Sequence, residues 1–344
     1  MVDALKKNTA IVLLNWNGKD WLSRFLPNLV RYSEGCHIIL ADNCSTDTSV
    51  AYVRSHYPTI EIIQNKQNGG FAKGYNDALN ELKGRFDYYA LVNTDIEVTE
   101  GWIETLLNEL VKDKSIGGIQ PKIRSFHERE KFEYAGAAGG FLDKTYYPFC
   151  RGRIFDHLEV DNGQYDQDTT VFWVSGACFL IRSELFHELN GFDEQFFAHM
   201  EEIDLCWRAQ KLGYRFKAVS KAMVYHVGGG TLAYGNPKKT FLNFRNSLMM
   251  IHKNHNGFLA GMIFKRLCLD GMAGVKFLFS GEFSHFKAVL KAHFSYYRHV
   301  SELNKKRKVI IQKQISTELI GKYKKCIIWT YYFRRIRAFS KLKW

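Results

Sequence analysis

The chain of 344 residues is 46% hydrophobic and 24% charged with only five prolines, which describes a globular protein and excludes a largely disordered one. Seven cysteines, odd in number and without a C-x-x-C pair, exclude a disulfide framework or a cysteine zinc site and point to a reducing compartment. The net charge of +13 is concentrated: residues 257–344 hold 19 Lys/Arg against 4 Asp/Glu, whereas residues 1–256 hold 29 against 31.

Near the N-terminus the apolar run Ala10–Leu14 is too short for a signal-peptide core. No run of about 18 apolar residues occurs anywhere, so neither export nor a spanning helix is expected. "TAIVLLN" (9–15), "HIILADN" (37–43), "TIEIIQN" (59–65) and "YYALVNTD" (88–95) read as buried strands. Between them "GKDWLSRFLPNLVRY", "STDTSVAYVRSHY" and "GYNDALNELKG" have helical spacing. Strands alternating with amphipathic helices imply right-handed βαβ crossovers and a parallel sheet covered on both faces. Ligands of such sheets bind outside the carboxyl ends of the strands, where Asn15, Asp42, Asn43, Gly70, Asn93 and Asp95 collect.

After about residue 120 the rhythm changes. Segment 125–170, rich in Gly, Tyr and charge, reads as loops or short antiparallel strands. "TTVFWVSGACFLIRSELF" (169–186) gives two strands and a helix start, and an acidic helix at 201, a strand ending at His226 and the helix around "FLNFRNSLMMIHKN" complete the body near residue 256.

Four clusters carry chemistry. Asn93 and Asp95, two apart at a strand end, suit a hard divalent cation gripping a diphosphate, although Asn and Asp also simply make turns. "QNGGFAKGYN" offers Gly70, backbone N–H groups and Lys73 at a helix start, which favours phosphate; an ordinary loop is the plain alternative. His226 precedes three glycines and is placed to complete a metal shell with Asp95, although a lone histidine is more often structural. In "MEEIDLCWR", Asp204 and Arg208 read as an i,i+4 surface pair. Glu201 and Glu202, framed by apolar residues, read as carboxylates of raised pKa suited to accepting a proton from a hydroxyl.

Taken in order, "IVLLNWNG", "ADNCSTDTS", "QNGGFAKGYN", "LVNTDIEV", "WVSGACFLIR", "FFAHMEEIDLCWR", "YHVGGGT" and "FRNSLMMIHKN" resemble the family 2 glycosyltransferases of GT-A fold. The branch is the one that includes rhamnosyltransferases of bacterial surface-polysaccharide assembly, and the likeness covers roughly residues 8–256. It implies an α/β fold, a Rossmann-like, mostly parallel central sheet with flanking helices, followed by a helical amphipathic extension. It also implies inverting transfer of a sugar from a nucleotide diphosphate sugar to a hydroxyl of a glycan or polyprenyl-linked acceptor. dTDP-rhamnose is the first donor expected, with UDP-hexoses and UDP-galactofuranose open.

By position, the resemblance puts Asp42 and the turn after Asn15 on base and ribose with Asn43 nearby, and Gly70, Lys73, Asn93 and Thr94 along the nucleotide sugar. Asp95 and His226 would meet Mg²⁺ or Mn²⁺, and Trp173, Ser175, Gly176 and Ala177 would line the donor-sugar and acceptor cleft. The family's D-x-D stands here as Asn93-Thr94-Asp95, which makes ribose or a metal-bound water the expected contact of Asn93. Its ED-x-D stands as Glu201-Glu202-Ile203-Asp204, placing Glu202 at the base position with Glu201 in support.

The expected divisions are a nucleotide-sugar-binding half (1–125), an acceptor-binding and catalytic half (126–256) and a basic amphipathic extension (257–344). In the extension Phe286, Val289, Leu290, His293, Phe294 and Tyr297 fall at helical spacing, with Lys287, Lys291 and Arg298 off that stripe. Such a segment suits an anionic membrane surface, on the inner face of the cell membrane of a cytoplasmic enzyme, with packing on the catalytic body as the alternative. Nucleic acid is not an expected partner, because no recognised module accompanies the charge. A glycoside hydrolase leaves the diphosphate-type features unexplained, a nucleotidyltransferase does not need the 173–208 arrangement, and a non-catalytic scaffold of the same fold would lack Asp95, Glu202 and His226.

Overall fold

A computed structural model describes residues 2–228 and 235–344. The first half alternates as expected: α1 (Val2–Lys7), β1 (Thr9–Asn15), α2 (Lys19–Tyr32), β2 (His37–Asp42), α3 (Ser49–His56), β3 (Glu61–Gln64), α4 (Gly70–Glu81) and β4 (Tyr88–Asn93). Short β5 (Ile96–Val98), α5 (Trp102–Val111) and β6 (Ile116–Ser125) follow. The Gly/Tyr-rich segment folds into a small antiparallel sheet of β7 (Gly140–Leu142), β8 (Pro148–Cys150), β9 (Arg153–Ile154) and β10 (His157–Leu158). The chain then adds β11 (Thr169–Val171), β12 (Cys178–Arg182), α6 (Ser183–Glu188), α7 (Glu201–Lys211) and β13 (Arg215–His226). Helices α8 (Pro237–Asn254), α9 (Leu259–Phe279), α10 (Phe283–Lys313) and α11 (Ile327–Tyr332) end it.

The main sheet runs β11-β13-β6-β12-β4-β1-β2-β3, with β5 alongside β13. β1, β2, β3, β4, β6 and β13 share one direction; β5, β11 and β12 run against them. Because strand side chains alternate, Ala10 and Val12 enter the core shared with α4, α7 and α8, whereas Ile11 and Leu13 enter the one under α2 and α5. Both faces are therefore buried, which is why these strands are apolar throughout.

Register sets the site. Asn15 lies opposite Asp42, and Leu14 opposite Asn93, so three polar strand ends meet along one edge. Antiparallel pairing of β5 with β13 sets Ile96 opposite His226, which carries that imidazole back to Asp95 across 131 residues of chain.

The C-terminal region does two things. Helices α8, α9 and α10 pack on one another, while the last segment straps the small sheet: Leu142 bridges to Lys322, Ile327 N–H donates to Asp143 Oδ2 (2.8 Å), and Phe339 packs on Phe141 and Phe149. The expected stripe on α10 is split, since Val289 is buried while Leu290, Phe294 and Tyr297 face outward.

Candidate active site

At the strand ends, the buried Asn15 side-chain amide donates to Asp42 Oδ1 (3.0 Å), Ser45 Oγ (3.1 Å) and Ser49 Oγ (2.9 Å), and Asp42 Oδ2 accepts from Ser45 N (3.1 Å). Asn17, in the left-handed region at φ 52°, accepts from the Thr46 and Asp47 amides, folding the 44–47 loop against the turn after β1. Asn43 is a clamp: its amide reaches Asn68 Oδ1 and Gly70 O (both 3.0 Å) while its oxygen accepts from Asn65.

The glycine-rich turn has a structural duty beyond the one its sequence suggests. Gly70 sits at φ +75°, and a Cβ there would stand 2.5 Å from Phe197 O. The first amides of α4, expected to face a phosphate, instead meet that same carbonyl, from Phe71 N at 2.7 Å and Ala72 N at 3.3 Å. Lys73 is held by Asp77 (2.7 Å) and Glu194 (3.7 Å).

Asp95 and His226 do come together, with Oδ1 and Nε2 3.2 Å apart and both side chains buried. Behind the ring, His226 Nδ1 lies 3.2 Å from Glu133 Oε2. Burial opposes charge on the imidazole, yet the two carboxylates outweigh it and hold its pKa up to about 10. Burial likewise works to raise Asp95, and the imidazolium beside it holds that carboxyl below its ordinary value. One carboxylate oxygen and, once the ring gives up its Nε2 proton, one imidazole nitrogen, with a carboxylate behind the ring, are a donor set that fits Mg²⁺ or Mn²⁺. Among the described residues no group of three His, Cys, Asp or Glu converges on a metal-holding point. Glu133 has no sequence signal of its own; it comes from the aperiodic segment. Gly229 to Thr231 of the "YHVGGGT" motif lie outside the described residues.

On the other flank, α7 begins at Glu201 after a loop in which Phe197 (φ 63°), His199 (φ 71°) and Met200 (φ 75°) all adopt left-handed conformations unfavourable to such residues. The loop is held from α8. Asn246 donates to the carbonyls of Phe196 (2.9 Å), Ala198 (2.9 Å) and His199 (2.7 Å), and Arg245 donates to Gln195 O (2.9 Å) and Phe196 O (3.1 Å).

The three acidic residues then part company. Asp204 is fully buried and accepts from Arg208 (2.8 Å), Lys253 (2.9 Å) and Asn254 (2.7 Å). The expected surface pair is thus a core node, because α8 brings a second cation and an amide onto the same carboxylate. Glu201 is buried with Oε2 unpartnered, and burial together with the neighbouring Glu202 pushes its pKa well up. Glu202 is half-buried, also has Oε2 unpartnered, and burial pushes it up to about 7. A carboxyl at that value with a spare oxygen can exchange a proton near neutral pH.

Of the four expected cleft residues, Gly176 adjoins the acidic pair: a Cβ there would lie 3.8 Å from Glu202 Cβ and 3.2 Å from the Phe71 ring. Ala177 O accepts from Asn93 N (2.9 Å), tying the cleft floor to the strand end that carries Asn93, Thr94 and Asp95. Ser175 is buried and bonds to Ala135 O, with its own N–H on Gln120 (2.9 Å). The Trp173 indole turns inward: it is 4% exposed, donates to Phe141 O (3.1 Å) and lies against Gly140.

Comparison with known proteins places this edge in context. The family model described as glycosyl transferase family 2 matches residues 10–189, just over half of the chain. N-acetylglucosaminyl-diphospho-decaprenol L-rhamnosyltransferase of Mycobacterium tuberculosis is 24% identical over 262 residues, covering 72% of this chain and 85% of that protein. Rhamnosyltransferase WbbL of Escherichia coli K12 is 24% identical over 225 residues, covering 63% and 82%. Among solved structures, S. aureus TarS 1-349 in complex with UDP-GlcNAc has a TM-score of 0.53 at 13% identity, covering 89% of this chain and 92% of that one. GalNAc-T7 with UDP, GalNAc and Mn²⁺ has a TM-score of 0.54 at 14% identity over 72% of this chain, which spans about half (48%) of that protein. The shared architecture is the GT-A fold.

Proposed function

Because this chain belongs to glycosyl transferase family 2, in its rhamnosyltransferase-like branch, we propose that it moves a sugar from a nucleotide diphosphate sugar, dTDP-rhamnose first, to a hydroxyl of a lipid-linked glycan, with inversion at the anomeric carbon. The observation that carries this reading is the Glu202 carboxyl, raised to about 7 with a spare oxygen, on the flank of the strand-end edge that also holds the Asp95–His226 pair.

Glu202 takes the proton of the acceptor hydroxyl as that oxygen bonds to the anomeric carbon. The bond from that carbon to the diphosphate oxygen breaks in the same displacement, and the nucleoside diphosphate leaves with the electron pair. Burial and the adjacent Glu202 raise the Glu201 pKa, which favours its protonated form beside the carboxyl that accepts the proton. Asp95 and His226 would hold Mg²⁺ or Mn²⁺, which when bound supplies charge to the leaving diphosphate. Asp42, Asn15 and Asn43 shape the seat for base and ribose, with Gly70, Asn93 and Thr94 along the donor and Gly176 and Ala177 under the sugar. Lys73 would have to exchange Asp77 and Glu194 for the donor. Residues 1–125 then serve the donor and 126–256 the acceptor, although the sheet runs unbroken through both. An acceptor anchored in lipid would bring the enzyme, through its basic 257–344 region, to the inner face of the cell membrane.

The test is Glu202→Gln, assayed by mass spectrometry for transfer and by thermal shift with dTDP-rhamnose, UDP-hexoses and UDP-galactofuranose in the presence of Mn²⁺. Transfer should vanish while nucleotide-dependent stabilisation persists; turnover like that of the unaltered enzyme rules out Glu202 as base.

A further inference from the structure

Helix α9 is turned inside out relative to an ordinary surface helix. Its buried side presents Ile263, Arg266, Asp270 and Gly274. Arg266 lies on the Tyr147 ring (3.6 Å) and donates to the carbonyls of Thr145 (3.1 Å) and Tyr146 (3.2 Å), while Asp270 accepts from the Tyr147 hydroxyl (2.5 Å). Its outer side is apolar: Phe264 (69% exposed), Met272, Val275 and Phe279 (86%) lie on one stripe about 80° wide at 100° per residue. The adjoining α10 buries Val289, Ala292 and Tyr296 and turns Leu290, Phe294 (67%) and Tyr297 outward.

Monomeric soluble proteins rarely leave such contiguous apolar surface in water, and a helix that buries an Arg266–Asp270 pair while exposing Phe264 and Phe279 has been fitted to an apolar surrounding. Lys265, Lys276, Lys287, Lys291 and Arg298 are exposed on the same two helices, where Glu282 is the exposed acid before Glu302. No helix among the described residues is long and apolar enough to cross a membrane. Aromatics rimmed by cations on helices that do not span suit the headgroup layer of an anionic bilayer, with the rings at the acyl boundary and the ammonium groups on lipid phosphates. In the C-terminal segment Phe339 is buried and Trp344 packs on Phe141, while Trp329, Tyr332 and Phe333 are exposed only around the short α11.

We infer that the outer face of the α9–α10 hairpin, and not the basic C-terminal segment, seats the protein in the interface of an anionic lipid leaflet. The use of this seat rests on the lipid-linked acceptor proposed above; the seat itself does not.

The full chain is floated with phosphatidylcholine vesicles with and without about 30% phosphatidylglycerol. It should float with the anionic vesicles. The variant Phe264→Ser/Phe279→Ser/Phe294→Ser should lose at least roughly tenfold in partitioning while keeping its melting temperature, whereas Arg334→Ser/Arg335→Ser should change it by less than about threefold. Leu290→Ser/Tyr297→Ser reads the same face if the triple variant folds poorly. Flotation unchanged in the hairpin variants, loss confined to the arginine variant, or an unaltered chain that never floats overturns the inference. So does a dimer by light scattering that the triple variant dissolves, because the face then covers a second copy. A thermal shift with nucleotide sugars, run without vesicles, reads the donor site separately: flotation without any shift leaves the seat standing and removes the transferase reading.

Discussion

Asn246→Ala tests how the loop leading into α7 is built. The two amide hydrogens of Asn246 serve three carbonyls, those of Phe196, Ala198 and His199, in a loop where three non-glycine residues hold left-handed backbone. Each such residue costs about 1–3 kcal/mol and persists only when its surroundings insist on it. A buried carbonyl left without a donor costs about 1–3 kcal/mol, less where water can reach it. Phe196 O keeps Arg245 and the Ala198 amide, so the carbonyls that lose a donor are those of Ala198 and His199, both bordering solvent, and the loss should be about 2 kcal/mol in urea unfolding. Asn243→Ala, one turn earlier on α8, should stay within about 0.5 kcal/mol. Relaxation of the loop moves the start of α7, and an error of about 1 Å at a reacting group costs on the order of 100-fold. In steady-state transfer assays kcat should therefore fall far more than donor KM rises. Equal stability together with turnover within about twofold of the unaltered enzyme would show that the loop holds itself, and the argument from Asn246 would fail.

Three further outcomes follow from the site. With Glu202 as base, kcat should climb as pH rises through about 7, because only the carboxylate accepts a proton; a flat profile between about pH 6 and 8 removes it from that role. Folding raises the Glu201 pKa, so its contribution favours the native state at low pH and is lost as pH rises. Glu201→Gln should accordingly stabilise the protein at pH 8 and do little at pH 5, by denaturant midpoint, and a gain of the same size at both values would contradict its burial as an acid. Glu133→Gln should weaken Mn²⁺ binding in calorimetry by about 10–100-fold, since the carboxylate 3.2 Å behind the His226 ring loses its charge; unchanged affinity would leave Glu133 a bystander.

The βαβ half was legible because its signals are local: apolar runs, turn residues and helical spacing each lie within a dozen positions of one another. Asp95 and His226 were readable as partners only from their ligand chemistry and the resemblance, since the β5–β13 pairing that joins them is a long-range event. Glu133 was not readable at all, sitting in a segment without periodicity. Asp204 misled in the other direction, because i,i+4 spacing specifies its partner Arg208 but says nothing of Lys253 and Asn254 arriving from α8. Periodicity also finds a stripe without saying which way it faces, and the one on α10 is split, with Val289 inward and Leu290, Phe294 and Tyr297 outward.

The Phe197 carbonyl is shared property. It opens the strained loop that leads to the acidic pair, and it also receives the first two amides of α4, at the end of the turn pinned by Asn43. Gly70 is what lets the two backbones meet there. Two substrates that never touch the same side chain would therefore still feel one another: a donor that shifts the start of α4 either draws the acceptor loop with it or breaks from it. By reciprocity, an acceptor that settles that loop would tighten the hold on the donor by the same factor. The cooperativity between the two substrates would then be written into a single peptide group.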